Sequence, residues 1–359
     1  MKKKLLAVIV VVLMLVTVFA GCAKADAPAA PAPAPADSGS SAAAPAAEEP
    51  AAGGKTFGYL AWALSDEWNA YGNEAFIWCA EQDGNTVITL DCQKDPESQV
   101  SQAEELINKG VDGISIFPCS PEAGATIVRM ANEAGIPIAV ENIFLPDDAS
   151  AGEVVGQVAC QYGDIGYAAV EYAAKTWPGA KLLYVHGGPG VGVYEDYKIG
   201  VDKALEDYKS DIELVGLVNG NWETEASYNV TMDFITSGKS DFDVVFANND
   251  LQAVGVYNAL KENGMEDIPV LSTGGSEQGY AMIKDGQEYA NMTAPVNIQG
   301  IIVYQFLAKA TSGQTVAQKK IPLPVIPVDT TNIDTAWIKW SDNDAASAYV
   351  TANVPELAR

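Results

Sequence analysis

From residue 56 onward, short apolar runs rich in β-branched residues alternate with longer stretches whose apolar positions recur every three or four residues. The short runs fall at 56–61, 86–90, 113–117, 137–140, 154–159, 181–185, 212–218, 243–247, 269–271 and 291–294. Bounded runs of this length read as strands. The segment 99–109 sets Val100, Ala103, Leu106 and Ile107 on one helical face, and 128–134, 164–175, 196–208, 228–237, 251–263 and 298–311 behave alike. Gly84, Gly110, Gly135 and Gly264 stand where such helices should stop, since glycine tolerates the left-handed conformation of a helix C-terminus. Strand and helix alternating in this way predict parallel sheets with helices on both faces.

Ten strands are many for one open sheet. Two stretches are also alike: 130–138 reads MANEAGIPI, and 259–264 reads ALKENG before Ile268-Pro269-Val270. Each is a helix end, a glycine and a strand opened by Ile-Pro. Two similar α/β lobes account for both facts. A ligand would then sit in the crevice beyond the carboxyl ends of the strands.

The N-terminus carries a different pattern. Lys2, Lys3 and Lys4 precede an almost unbroken apolar run from Leu5 to Phe19, then Ala20-Gly21-Cys22. This is the layout of a secretory leader, shorter than the ~20 residues a membrane span needs. The placement of Cys22 resembles a bacterial lipobox, with Phe19 where leucine is usual; an ordinary cleaved leader with an incidental cysteine is the alternative. The resemblance implies a lipidated Cys22 anchored outside the cytoplasmic membrane, in the periplasm or on the cell surface. Residues 23–54 are Ala, Pro, Ser, Gly and a few acids without an aromatic, which reads as a disordered tether.

The body, 55 to about 340, is long enough for two lobes. Without the three leading lysines the chain has 18 basic against 47 acidic residues, a balance of −29. With no basic patch, a nucleic-acid partner is excluded; the acidity suits a soluble monomer. Cys79, Cys92, Cys119 and Cys160 form no CxxC pair and have no histidine cluster beside them, so no zinc site is expected. Export permits disulfides, but the spacing gives no framework, and these cysteines read as buried free thiols. Ser341-Asp342-Asn343-Asp344 lacks calcium-loop spacing and reads as solvated tail. No metal and no cofactor are expected.

Three segments then point to a family: 99–114 (QVSQAEELINKGVDGI), 130–137 (MANEAGIP) and 245–250 (VFANND). In this order the chain resembles the type I periplasmic binding proteins of sugar ABC transporters, the ribose- and xylose-binding group, over 55–335. The resemblance implies two Rossmann-like lobes hinged by three crossover strands near Cys160, Pro295 and Val328. It divides the chain into a leader (1–21), a tether (22–54), an N-terminal lobe (55–160 with 296–327), a C-terminal lobe (161–295 with 328–340) and a tail (341–359). It also implies closure on a ligand and delivery to a permease with its ATPase.

Ligand positions carry over one at a time. Trp62, Asp66, Trp68 and Asn69 follow the first strand, where the family presents aromatic and polar groups to a sugar. Trp68 would stack on an apolar sugar face or begin a helix and pack inward; Asp66 would bind a hydroxyl or cap that helix. Asn142-Ile143 stands where the family usually has Asp-Arg, so an arginine fork is missing. Tyr194 and Glu195 open a helix near a position that is often Arg, after a glycine-rich loop (186–192) that lacks the Lys-Ser/Thr of a phosphate loop. Trp222 would give the second lobe its own platform or anchor a loop. Asn249 matches a ligand-binding Asn, whereas Gly274 and Pro295 replace a common Asp and Gln. Phe117 adds apolar wall. The pocket should be more aromatic than a pentose pocket; a larger sugar, a deoxysugar, a polyol or a non-sugar ring would fit.

The function implied is ligand capture for import, with no bond made or broken. A nucleoside-binding lipoprotein or a ligand sensor for a membrane receptor are the alternatives. A surface glycosidase is least favoured: His186 is the only histidine, and there is no Gly-x-Ser-x-Gly elbow.

Overall fold

A computed structural model describes residues 53–146, 152–190 and 192–358. The expected leader, Cys22 with its expected lipidation, and nearly all of the expected tether lie outside the described residues. In chain order the elements are β1 (Thr56–Ala61), α1 (Glu67–Gln82), β2 (Thr86–Asp91), α2 (Pro96–Lys109), β3 (Gly113–Ile116), α3 (Pro121–Glu133), β4 (Ile138–Asn142) and β5 (Gly156–Cys160). Then come α4 (Tyr162–Thr176), β6 (Ala180–His186), α5 (Val193–Asp207), β7 (Ile212–Asn219), α6 (Thr224–Thr236), β8 (Val244–Ala247), α7 (Asp250–Glu262), β9 (Val270–Gly274), α8 (Glu277–Lys284) and β10 (Ala290–Thr293). The chain closes with α9 (Val296–Thr311), β11 (Lys320–Leu323), β12 (Ile326–Asp329), α10 (Ile333–Ala336) and α11 (Asn343–Asn353).

The strands form two sheets of matching order, β11-β5-β4-β3-β1-β2 and β12-β10-β9-β8-β6-β7. The first is parallel throughout. The second is parallel except β12, which runs antiparallel to β10. The repeated sequence falls on α3–β4 and on α7–β9, equivalent places in the two lobes. The central strands of each lobe are buried, β1 and β8 almost wholly, whereas the edge strands β2 and β7 are partly exposed. Helix α9 is buried nearly all round and packs on α1 and on β3, β4 and β5. Its approach to α1 needs Gly300, where a Cβ would lie 2.1 Å from the Gly72 carbonyl.

The chain passes between lobes after β5, after β10 and between β11 and β12. The third passage is at Pro324-Val325, not near Val328, which lies inside β12. Strands β11 and β12 are absent from the sequence expectation because each is four residues long and interrupted by proline, which is tolerated only at sheet edges. There is also a fourth passage. After α10, which packs beside β12, residues 337–342 return to the N-terminal lobe, where α11 docks on α9. The segment after 340 is therefore not a solvated tail. Asp342 caps α11 by accepting from the Ala345 amide (2.9 Å), and Ala346 and Val350, four apart, bury one face.

Glu141 on β4 is buried and accepts the Tyr59 hydroxyl, while its second carboxyl oxygen has no partner. Burial pushes its pKa up from 4.5 to about 7. Between those values the folded chain holds a proton that the unfolded chain releases, so stability is greatest at the acid end and declines as pH rises towards 7 and above. Wild-type protein should lose stability from pH 5 to 8. Glu141→Gln should lose less, by on the order of 3 kcal/mol, a shallower slope in denaturant melts across that range. Parallel slopes would show that Glu141 is ionised in the fold.

Candidate functional site

In each lobe the strand order reverses beside one strand: β1 lies between β2 and β3, and β6 between β7 and β8. The loops leaving the carboxyl ends of such neighbours diverge and leave a crevice. Both lobes contribute their strand ends to a single cavity of about 110 Å³. From the first lobe come Trp62 and the Asp66–Asn69 turn after β1, Phe117 after β3 and Asn142 at the end of β4. From the second come Trp222 after β7, Asn248, Asn249 and Asp250 after β8, and Thr273, Gly274 and Ser276 around the end of β9. Tyr162 on α4, Val193 and Tyr197 on α5, and Trp340 on the fourth passage also line it.

Three of the four lining indoles are held by their own N–H groups. Trp68 donates to Asn142 Oδ1 (3.1 Å), Trp222 to the Gly188 carbonyl (3.1 Å) and Trp340 to the Gly274 carbonyl (3.2 Å). With the N–H engaged, what such a ring offers a ligand is carbon surface. Trp68 meets Trp340 edge-on at 5.3 Å, and Trp62 stacks with Phe117 at 6.3 Å. Trp222 is held in a left-handed conformation (φ 66°), as is Asn221 before it (φ 53°). Such backbone is unfavourable for a bulky side chain and aims the ring from a tight turn.

Most polar groups here are already committed. Asp66 caps α1, accepting from the Asn69 amide (3.3 Å) and side chain (3.2 Å), and burial raises its pKa. Asn69 Oδ1 in turn accepts the Trp62 amide (3.2 Å). Asn249 caps α7 through the Gln252 amide (2.8 Å). Asp250 is buried beneath them, accepting from Ser272, the Ser276 amide and Asn291, and burial raises its pKa too. The exception is Asn248. Its Oδ1 accepts from Tyr184 and the Gly187 amide (both 2.9 Å), but its buried Nδ2 has no partner. An unpaired buried donor is costly, and a ligand acceptor would satisfy it.

Among the described residues no Lys, Arg or His lines the cavity. Lys94 stands at its rim, 5.0 Å over the Trp62 ring and 3.8 Å from Glu223 of the other lobe. Anions therefore find no counter-charge inside. The site suits a small ring with apolar faces and few hydrogen-bonding groups.

Trp62, Asp66, Trp68, Asn69, Phe117, Asn142, Trp222 and Asn249, singled out in the sequence, all line this cavity. Tyr194 and Glu195 do not. Helix α5 turns Val193 and Tyr197 inward, and the ~100° advance per residue carries the next two away. Tyr194 stacks on His186 at 4.2 Å, and Glu195 accepts the Gly190 amide at an exposed turn (2.9 Å). Tyr162, Tyr197, Asn248 and Trp340 were missed. Asn248 adjoins a recognised position and Tyr197 lies one helical turn past Val193, so both had a signal; Trp340 had none.

The Trp222 ring packs directly on Gly187, where a Cβ would come within 2.1 Å of it. Gly187→Ala should expel the indole and cost about 1–3 kcal/mol in a thermal or denaturant melt. In a Trp222→Ala background the same change should cost much less. Equal losses in both backgrounds would mean that the ring is not what Gly187 accommodates.

The profile of a family described as "Periplasmic binding protein domain" matches residues 57–315. The chain is similar to the ribose import binding protein of Bacillus subtilis, 29% identical over 247 residues, covering 68% of this chain and 78% of the relative. It is 29% identical over 274 residues to the xylitol-binding protein of Mycolicibacterium smegmatis, with 74% of each chain covered. Its fold is similar to that of an ABC transporter solute binding protein from Bacillus halodurans with bound myo-inositol, with a TM-score of 0.72 at 23% identity, covering 79% of this chain and 96% of the other.

Proposed function

Because the chain belongs to the periplasmic binding protein family, we propose that it is the substrate-binding lipoprotein of an ABC importer. It captures an uncharged sugar or sugar-like ring between its lobes by hinge closure and hands it to a permease driven by an ATPase. The observation that carries this reading is the cavity shared by the strand ends of both lobes, walled by indoles and free of basic side chains among the described residues. Closure about the passages between lobes would bring the two walls onto a ligand. Cys22, after the leader, would carry the lipid anchor outside the cytoplasmic membrane, with the monomeric body on its tether. Asn142, Asn248 and Asn249 would meet the ligand's polar groups, and Trp68, Trp222 and Trp340 its faces.

One observation favours a second ligand class. Asn142-Ile143 replaces the arginine fork that reads adjacent hydroxyls, and the walls are flat aromatic surfaces. A nucleoside is therefore the alternative cargo.

The test is thermal unfolding of the mature chain with pentoses, hexoses, deoxysugars, polyols and nucleosides. A ligand at 100 times its dissociation constant should add about 2.7 kcal/mol of stability. Trp222→Ala and Trp340→Ala should each weaken it tenfold or more. A shift with nucleosides alone would reassign the cargo. A shift that survives both substitutions would place binding outside this cavity.

A further inference from the structure

The first lobe holds two cysteines that the cavity does not use. Cys92 directly follows β2 and Cys119 lies three residues beyond β3. These strands flank β1, so the two cysteines meet across its carboxyl end. Their sulfurs are 2.8 Å apart, and both residues are buried. Neither is placed by the sulfur contact alone. The Cys92 amide donates to the Ala61 carbonyl (3.3 Å) and its sulfur to the Trp62 carbonyl (3.3 Å). The Cys119 amide donates to Gln99 Oε1 (2.8 Å), and Gln99 Nε2 returns a bond to the Phe117 carbonyl (2.7 Å). The fold thus delivers two thiols to one point by separate backbone anchors. A covalent bond of ~2.05 Å needs a closing movement of under about 1 Å.

We infer that Cys92 and Cys119 are joined by a disulfide in the exported protein, stapling the loops after β2 and β3 over the end of β1. Export past the leader exposes the folding chain to an oxidising compartment. In the still-open chain Cys92, deprotonated, is the attacking thiolate. It attacks the disulfide of an extracytoplasmic thiol oxidoreductase, forming a mixed disulfide and releasing one thiol of the oxidant. Cys119 gives up its proton and attacks the Cys92 sulfur, expelling the second. The oxidant leaves as a dithiol with both electrons and both protons. The exchange belongs to folding, before the sulfurs are covered. The finished bond lies against the backbone of Trp62 and close behind Phe117, and so stiffens the first lobe's aromatic wall. Cys79, within α1, and Cys160, which takes the Gln299 amide (3.6 Å), remain thiols.

The full chain is expressed with its leader, isolated without reductant, denatured and alkylated. It is then digested with trypsin and chymotrypsin, which together cut between Cys79 and Cys92. A linked Cys92–Cys119 peptide with alkylated Cys79 and Cys160 is expected. Full alkylation of Cys92 and Cys119 in the exported protein would overturn the inference. As a second readout, dithiothreitol should lower the melting temperature of the wild type by on the order of 5–10 °C. It should leave the Cys92→Ser/Cys119→Ser double variant unchanged. Equal sensitivity in both would also overturn it.

Discussion

The cleft keeps its shape only if its first wall is fixed against both lobes, and here that condition converges on Asn142. Its Oδ1 accepts the indole N–H of Trp68 from α1 and the hydroxyl of Tyr162 from α4. Its amide donates to Gln299 on α9 (3.0 Å). One residue, by side chain and backbone, therefore joins the first lobe, the first helix of the second lobe and the helix that follows the second passage. The backbone adopts φ 75° to do so, a region asparagine tolerates better than most residues. At the next position, where the sequence has no arginine fork, Ile143 is buried. Orientation of the first wall is thus achieved inside the protein, and the ligand inherits surfaces already fixed.

The same economy recurs in the second lobe at equivalent places. Strand β9, the counterpart of β4, also ends in a residue of positive φ, Gly274, whose carbonyl holds Trp340. The loop after β2 has two consecutive left-handed residues, Gln93 and Lys94, and the loop after its counterpart β7 has Asn221 and Trp222. What differs is the side chain delivered. One lobe places an ammonium at the rim and the other an indole in the cavity, so an architecture repeated in backbone is unlike in chemistry.

This explains what could be read from the chain alone. Strands such as 56–61 and 244–247 are buried on both faces, so unbroken apolar runs declare them. The residues following those strands are local to them, which is why Trp62, Phe117, Asn142 and Asn249 were within reach. Tyr194 and Glu195 were misplaced by a fraction of a helical turn, an error that periodicity cannot remove without knowing which face is inward. Strands β11 and β12 were hidden by proline, and α11 by the acidic Asp342-Asn343-Asp344 that in fact caps and opens it. Trp340 was illegible for a different reason. Its partners, Trp68, Tyr71 and Gly274, are all distant in sequence.

The fourth passage gives the molecule a mechanical property of its own. Three passages gathered at one edge act as a hinge, free to swing within the compliance of their backbones. Residues 337–342 lie apart from them, fastened at one end by Trp337, edge-on to Tyr280 of α8 at 5.7 Å, and at the other by α11 on α9, with Ser341 also donating to Glu277 of α8 (2.6 Å). Asn297 also grips the carbonyls of Lys339 (3.0 Å) and Asp342 (3.2 Å). Six residues reach at most about 20 Å fully extended. Separation of the lobes would take up that slack and then pull on Trp340 itself, so the span would act as a check-rein. It would limit the angle to which the jaws can part, and it would withdraw one wall of the cavity as they did.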